Sequence, residues 1–111
     1  MDAFELDELV AGLDASRHDA AEFFRAETLS LTVVRWPAGS VDGQQPHTED
    51  EVYYVAAGRA KLQVAGEHRS VAPGTVAYVA AGVEHRFHSI EEDLKVLVFW
   101  SPPRYTNAPR T

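Results

Sequence analysis

The sequence predicts an all-β domain, an antiparallel sandwich or barrel, with a short helical segment at its N-terminus. The first observation is its length, because 111 residues are enough for one domain and too few for two independent cores. The second is a series of short strand-like runs that begins after residue 28. The third is that turns containing glycine or proline, rather than long helices, separate those runs.

The first 27 residues are predicted as a helical or extended segment that precedes the β-rich domain. Residues 5–13 place apolar side chains at helical spacing, and Gly12 and Asp14 indicate where that helix ends. A second short helical piece is predicted over residues 19–25. Both pieces are short, so they form an appendage to the domain rather than a core of their own.

The β-rich domain is predicted to span residues 28–101. It opens with residues 29–36, which alternate, are rich in β-branched side chains and stop at a proline and a glycine. Further strands are predicted at 52–55, 60–64, 68–71, 76–79, 84–89 and 94–100, with Gly58 among the turn signals and the acidic residues 91–93 as a solvated turn. The last strand is apolar on both alternations, which predicts that the core covers one face and the N-terminal helix or a second copy covers the other.

The composition excludes several classes of protein. The net charge of −7 and the absence of a basic cluster argue against binding to nucleic acid. No apolar run is long enough to span a membrane, and the acidic N-terminus lacks the features of a signal peptide. The sequence contains no cysteine, so any metal site must use nitrogen and oxygen donors. We expect a cytoplasmic protein whose residues 102–111, with three prolines, form a loose C-terminal arm.

Candidate chemistry is concentrated in two segments, residues 39–58 and 74–89. In an extended strand, residues two apart face the same side, so Gln45 and His47 are expected to point together. Glu51 opens the next strand after a short acidic break, and His85 stands at the head of a later one. A strand-turn-strand arrangement of this kind can bring a carboxylate back over an imidazole.

Two imidazoles and one carboxylate, with coordination positions left over, are typical of open Fe(II) sites. Zn²⁺ accepts the same donors, and Gln45 adds a neutral amide oxygen. One divalent ion, whether Fe, Zn, Mn or Ni, is therefore the predicted cofactor. Such an ion would polarise a carbonyl group or bind an oxyanion as a Lewis acid.

The two segments resemble the two motifs of the cupin superfamily. The first motif, G-x5-H-x-H-x(3,4)-E-x6-G, falls on Gly39, Gln45, His47, Glu51 and Gly58, with glutamine in place of the first histidine. The second, G-x5-P-x-G-x2-H-x3-N, falls on Gly74, Ala80, Gly82, His85 and Ser89, where alanine replaces the proline and serine the asparagine. The resemblance covers roughly residues 28–100 and is closest to small single-domain cupin proteins.

This resemblance implies a single cupin β-barrel of the jelly-roll type. It also implies that His47, Glu51 and His85 are metal ligands and that Gln45 stands at the position of the remaining ligand, where it weakens or retunes the site. A homodimer is expected from the family as well. The family includes many unrelated activities, so the resemblance does not specify a substrate.

Two aromatic side chains are expected near the site. Tyr53 shares the face of Glu51 and is interpreted either as a pocket wall and proton donor or as an aromatic residue of the core. Phe87 shares the face of His85 and is expected to line the pocket. In a catalytic reading, Tyr53 supplies a proton and Glu51 acts as a base.

The remaining polar side chains are expected on the surface, except for Arg35, whose orientation the sequence does not decide. Arg35 and Trp36 lie on opposite faces of their strand, and Arg35 would anchor an anionic substrate if it faced inward. The side chains expected on the surface are His18, His68, His88, Glu49 and Asp50.

Two classes of function follow from the predicted site. The first is a metal-dependent enzyme that acts on a small organic molecule in the barrel, by dioxygenase chemistry or by isomerase, cyclase or lyase chemistry. The second is a binding or sensing module without turnover, with a structural or absent metal. A metal-free barrel that only dimerises is a third possibility. Metal occupancy and identity discriminate among them, because a redox-active ion with open positions favours catalysis and a closed or empty site favours the module.

Overall fold

The computed structural model describes residues 1–44 and 46–106 of the chain. These residues form one helix and six strands, joined by loops. They are α1 (Leu6–Ser16), β1 (Ala20–Arg25), β2 (Ser30–Trp36), β3 (Asp50–Val64), β4 (Glu67–Val71), β5 (Val76–Val79) and β6 (His85–Ser101). The strand pairings are antiparallel and run in the order β1-β2-β6-β3-β4, with β5 paired to β3. The predicted all-β class with a short N-terminal helix is confirmed.

Helix α1 extends three residues beyond its predicted end, to Ser16. Arg17 then adopts a left-handed conformation with φ of 62°, which ends the helix. The buried side chain of Leu13 anchors α1, which packs against β1 and β2. No helix in the described residues is long and apolar enough to cross a membrane.

The prediction of a second helical piece over residues 19–25 is wrong, because Ala20–Arg25 form the edge strand β1. This strand pairs with β2, with Ala20 opposite Val34. Its two phenylalanines, Phe23 and Phe24, contact the ring of Phe4 at centroid distances of 5.1 and 6.0 Å. Pairing with a neighbouring strand therefore overrides the local helical preference of Ala-Ala-Glu.

The longest strands, β3 and β6, form one ribbon that runs through both of the predicted breaks. Gly58 lies inside β3, and the acidic residues 91–93 lie inside β6, so neither position is the turn that the sequence suggested. The register of the ribbon shifts between Val55 and Lys61. Gly58 has φ of +90°, and a Cβ there would lie 2.3 Å from the backbone oxygen of Asp93. Gly58 therefore permits a tight bend where the two strands cross.

The bend folds the ribbon over so that its two halves face each other across one core. Tyr53 from the first half of β3 contacts Phe87 from the start of β6, at a ring-centroid distance of 5.1 Å. Alternate residues of β6 point into this core, where Leu94 and Val96 are fully buried. On the outward face Phe99 remains exposed, so the core covers only one of the two apolar faces of this strand.

Candidate metal centre

Three side chains from different parts of the chain converge inside the barrel. Glu51 is the second residue of β3, His85 is the first residue of β6, and His47 lies in the loop before β3. In the ribbon, Glu51 pairs with Trp100 and His85 pairs with Val64, so the two are far apart along the strands. The bend brings them together, and the ligand atoms of all three residues lie within 4.8 Å of one another.

Glu51 is the common partner in this cluster. Its Oε2 atom lies 3.0 Å from Nδ1 of His47 and 3.1 Å from Nε2 of His85. The other nitrogen of His85, Nδ1, donates a hydrogen bond to the carbonyl oxygen of Val83 over 2.8 Å, which directs Nε2 toward the cluster. Glu51 and His85 are buried and His47 is half-buried. Two nitrogen donors and one carboxylate in this arrangement fit a divalent cation.

The electrostatics of the cluster favour an ionised carboxylate. Burial alone would raise the pKa of Glu51, but hydrogen bonds from His47 and His85 lower that pKa below its ordinary value. Burial alone would likewise lower the pKa of His85, whereas its contacts with Glu51 and the Val83 carbonyl raise it. The Glu51 carboxylate at the centre of the cluster is therefore held in its ionised form, which is the form that ligates a cation.

Tyr53 forms the floor of the site. Its hydroxyl group donates a hydrogen bond to Oε1 of Glu51 over 3.1 Å, and its side chain is buried. Burial, together with the nearby charge of Glu51, raises the pKa of Tyr53 well above its ordinary value. The ring of Tyr53 therefore packs in the core while the residue also lines the pocket, and its role as a proton donor stays a prediction.

Gln45, the predicted fourth ligand, lies outside the described residues, and its role stays a prediction. The neighbouring Gln44 reaches the cluster, with Oε1 placed 3.2 Å from Nε2 of His85 and 3.5 Å from the Tyr53 hydroxyl. The amide group of Gln44 is fixed by Asp42, whose Oδ2 accepts its Nε2–H over 2.6 Å. An oxygen donor therefore faces the cluster from this loop.

Asp42 is a buried carboxylate that the sequence analysis missed. Besides the Gln44 amide group, it accepts the backbone N–H of Phe87 over 2.8 Å. It thereby ties the loop before β3 to the start of β6. The available signal was its position beside Gly43, in a segment that offers no strand pattern.

A cavity of about 270 Å³ opens beside the cluster. Trp36 and Trp100 form aromatic walls, and Arg104 stands at the edge of the cavity. Phe87, which was expected to line this pocket, instead lies behind it in the core and contacts Trp36 at a ring-centroid distance of 4.9 Å. The pocket therefore joins the candidate metal centre to an aromatic, partly apolar space.

The orientation of Arg35 and Trp36 is settled by their partners. Trp36 faces the pocket, whereas Arg35 faces outward and forms ion pairs with Asp14 and Asp19. Arg35 is therefore not an anion anchor inside the barrel. The helix end and the loop before β1 supply the carboxylates that hold it outside.

The expectation that Glu49 faces water is wrong. Glu49 is 2% exposed, and its Oε1 accepts the backbone N–H of Tyr105 over 2.7 Å, while Thr48 bonds its other oxygen. This carboxylate holds the segment after β6 against the barrel, so the predicted arm does not leave the domain directly at residue 102. His18 and His68 are exposed, as expected, and His88 is half-buried on the outer face beside His68.

Comparison with known proteins identifies the family. Residues 32–101 match the family model for the cupin domain, Cupin_2. "Uncharacterized protein SCO3923" of Streptomyces coelicolor is 48% identical over 103 residues, which cover 93% of this chain and 98% of that protein. The structure is similar to that of BH2720 from Bacillus halodurans, with a TM-score of 0.77, 18% identity and coverage of 94% of this chain and 84% of that one. It is also similar to the DMSP lyase DddQ from Ruegeria pomeroyi, with a TM-score of 0.69, 23% identity and coverage of 85% and 51%. The chain belongs to the cupin domain family.

Proposed function

We propose that this cupin holds one divalent metal ion with His47, Glu51 and His85 and acts with it on a small organic molecule. The observation that carries the proposal is the convergence of two imidazole nitrogens and one carboxylate oxygen within 4.8 Å, beside a cavity of about 270 Å³. A bound divalent ion would supply Lewis-acid chemistry, or redox chemistry if it is iron. Fe, Zn, Mn and Ni all accept this donor set.

A glutamine oxygen completes the proposed donor set. Gln45 is the ligand that the motif predicts, and the contact of Gln44 Oε1 with His85 Nε2 at 3.2 Å supports Gln44 as a second source of that oxygen. Both are neutral, so the choice between them does not change the charge of the site. Asp42 serves as the support that fixes the Gln44 amide group.

Tyr53 and Glu51 are proposed as the groups that handle protons. Because its pKa is raised, the Tyr53 hydroxyl stays protonated at neutral pH and can donate a hydrogen bond to a developing negative charge. Glu51, held ionised by the histidines, is the nearest proton acceptor, 3.1 Å from that hydroxyl. A donor and an acceptor beside a metal suit dioxygenase chemistry or isomerase, cyclase or lyase chemistry. The similarity to a cupin named as a lyase supports the last group by analogy of fold.

The proposal is tested by elemental analysis of the untagged protein after incubation with Fe²⁺, Mn²⁺, Ni²⁺ or Zn²⁺. We expect near-stoichiometric metal in the wild type and its loss in the double variant His47→Ala/His85→Ala. The matched control is His68→Ala/His88→Ala, which removes two histidines from the outer face and should leave the metal content unchanged. Circular dichroism establishes that all three proteins are folded.

Two outcomes would contradict the metal site. One is a wild type that takes up none of the four ions, and the other is equal loss of metal from both double variants. Stoichiometric metal with no turnover on any small organic substrate would instead favour a binding or sensing module, in which the ion anchors a ligand. The metal present in the protein as isolated, before any incubation, also bears on the reaction class, because iron supports dioxygenase chemistry whereas Zn²⁺, which has no redox chemistry, does not.

We also propose a homodimer, formed through an outer apolar patch of Val52, Val76, Tyr78 and Phe99. Val52 pairs with both Tyr78 and Phe99, so these three side chains lie side by side across β5, β3 and β6. Tyr78 is 60% exposed and Val76 is 62% exposed, which is unusual for large apolar groups on a sheet. A second copy that packs this patch against itself would cover them.

Analytical ultracentrifugation tests this interface. We expect the wild type to sediment as a dimer and Phe99→Glu to sediment as a monomer, because a buried unpaired charge opposes the contact. Val41→Glu is the control, since Val41 is exposed in the loop before β3 and lies outside the patch. A monomeric wild type would refute the proposal.

A further inference from the structure

Arg104 occupies a position that the metal site alone does not explain. It follows β6 and lines the cavity that contains His47 and Glu51. Among the described residues that line this cavity it is the only lysine or arginine. The two carboxylates of the lining, Asp42 and Glu51, already accept hydrogen bonds from their own partners. Among the residues that the structure describes, Arg104 forms no ion pair with either of them.

The backbone at Arg104 and Tyr105 is held by three hydrogen bonds. Its N–H donates to Oγ of Ser30 over 2.8 Å, and its carbonyl oxygen accepts from Nη1 of Arg25 over 3.1 Å. The next residue, Tyr105, donates its N–H to the buried Glu49 over 2.7 Å. The position of Arg104 is thus fixed by the barrel, although the residue lies beyond the last strand.

The side chain of Arg104 is fixed by aromatic rings. Its guanidinium carbon lies 4.7 Å from the ring centroid of Trp100 and 4.6 Å from that of Tyr105. Trp100 is itself locked, because its indole N–H donates to Oγ1 of Thr32 over 3.1 Å. Stacking holds the plane of the guanidinium group but leaves its N–H donors free to bind. The Nε atom is buried and has no hydrogen-bond partner within residues 1–44 and 46–106.

Trp100 also connects this cation to the candidate metal centre. The ring of His47 meets the indole edge-on, at a centroid distance of 4.8 Å. Arg104 and His47 therefore contact the same indole ring, and both border one cavity of about 270 Å³. A molecule in this cavity can reach the metal cluster at one end and the guanidinium group at the other.

We propose that Arg104 binds the carboxylate of a small organic acid, whose other end lies at the metal cluster. A planar guanidinium fork matches a carboxylate in a bidentate pair. The cavity is small, and its apolar walls of Val34, Trp36 and Val98 suit a compact carbon skeleton. The inference names the substrate class for the proposed function and rests on it for the role of the metal end. Arg104 therefore acts as the anion anchor, whereas Arg35 faces outward and pairs with Asp14 and Asp19.

Tryptophan fluorescence provides the test, because the two tryptophans of the chain, Trp36 and Trp100, both line the cavity. The probes are benzoate and its neutral analogue benzamide, titrated into the full chain with metal and after treatment with EDTA. We expect benzoate to bind more tightly than benzamide. Arg104→Gln should weaken benzoate about ten-fold or more and leave benzamide unchanged.

Two further variants keep the test decisive. Arg86→Gln removes the same charge from the outer face, where Arg86 bonds Gln63, and should leave benzoate binding unchanged. Arg104→Lys keeps the charge but lacks the planar fork, so we expect an intermediate loss; it replaces Arg104→Gln in the comparison if that variant does not fold. Thermal melts followed by circular dichroism report folding.

Several results would overturn the inference. They are equal binding of benzoate and benzamide to the wild type, equal weakening by Arg86→Gln, or benzoate binding that Arg104→Gln leaves intact. Inorganic phosphate that competes with benzoate and binds more tightly would reassign the anchor from a carboxylate to a phosphate group. The EDTA arm separates this inference from the metal proposal. In EDTA, benzoate binding should still depend on Arg104. If benzoate binding instead requires the metal and is unaffected by Arg104→Gln, the metal ion rather than Arg104 binds the carboxylate.

Discussion

Two pairs of histidines, one inside the barrel and one on its outer surface, have similar distances between their rings. The inner pair, His47 and His85, has a ring-centroid distance of 5.2 Å, and the outer pair, His68 and His88, has one of 5.1 Å. The inner pair shares a buried carboxylate, Glu51, while the outer pair sits at the surface beside positive side chains. Proximity of two imidazoles is therefore not what makes a candidate metal centre; the shared buried carboxylate is.

The two pairs also differ in the direction of their pKa shifts. Burial and Glu51 act in opposite directions on His85, and the contact with Glu51 leaves the pKa of His85 raised. For His88, partial loss of solvent and the charges of His68, Arg86 and Lys61 all lower the pKa. The sign of the neighbouring charge decides which form of imidazole each face favours.

The largest expected effect comes from Gly58→Ala, which breaks the bend that assembles the inner pair. A Cβ would lie 2.3 Å from the Asp93 oxygen, and φ of +90° is unfavourable for alanine. We expect the free energy of unfolding to fall by about 3 kcal/mol or more, measured in urea, with loss of metal uptake. Gly66→Ala is the control, because a Cβ at Gly66 meets nothing within 4 Å. Unchanged stability and metal content in Gly58→Ala would show that the bend does not need glycine.

A smaller effect on the free energy of unfolding is expected from removing a tyrosine hydroxyl on the inner face of β3, compared with the same change at the adjacent tyrosine on its outer face. Tyr53→Phe removes the hydrogen bond to the Glu51 carboxylate, so the free energy of unfolding of the metal-free protein should fall by about 1.5–3 kcal/mol. Tyr54 is half-buried on the opposite face, and Tyr54→Phe should change the stability by no more than about 0.5 kcal/mol. Urea denaturation in EDTA measures both. Equal effects of the two changes would mean that the hydroxyl of Tyr53 does not stabilise Glu51.

The smallest effect concerns the outer pair and its pH dependence. Because the pKa of His88 is lowered in the folded state, the stability that depends on its neutral form is complete above the unfolded pKa. This contribution to stability is lost as the pH falls from the pKa of His88 in the unfolded chain toward its lower pKa in the folded protein. His88→Gln lacks this titration, so its stability relative to the wild type should rise as the pH falls from about 7.5 to about 5.

Urea midpoints of the two proteins across this pH range provide the measurement. His18→Gln is the control, since His18 is exposed in the turn after α1 and lies outside both pairs. A difference that stays constant with pH, or that falls toward acid, would contradict the predicted sign for His88.

Features set by local pattern were predictable from the order of the residues. Alternation and turn residues located β2, β4 and β5 closely, because short strands bounded by glycine or proline depend on neighbours in sequence. The spacing of the two motifs identified His47, Glu51 and His85, which the fold brings together. The family and the barrel followed from the same spacing.

Features that depend on distant partners were decided by the tertiary structure. Residues 20–25 are a strand because β2 offers an edge, and Glu49 is buried because the segment after β6 returns to it. Arg104 reaches the pocket only because Trp100, Ser30 and Glu49 hold it there. In each case the deciding contact joins residues far apart in the chain, and its energy depends on burial, which sequence periodicity does not specify.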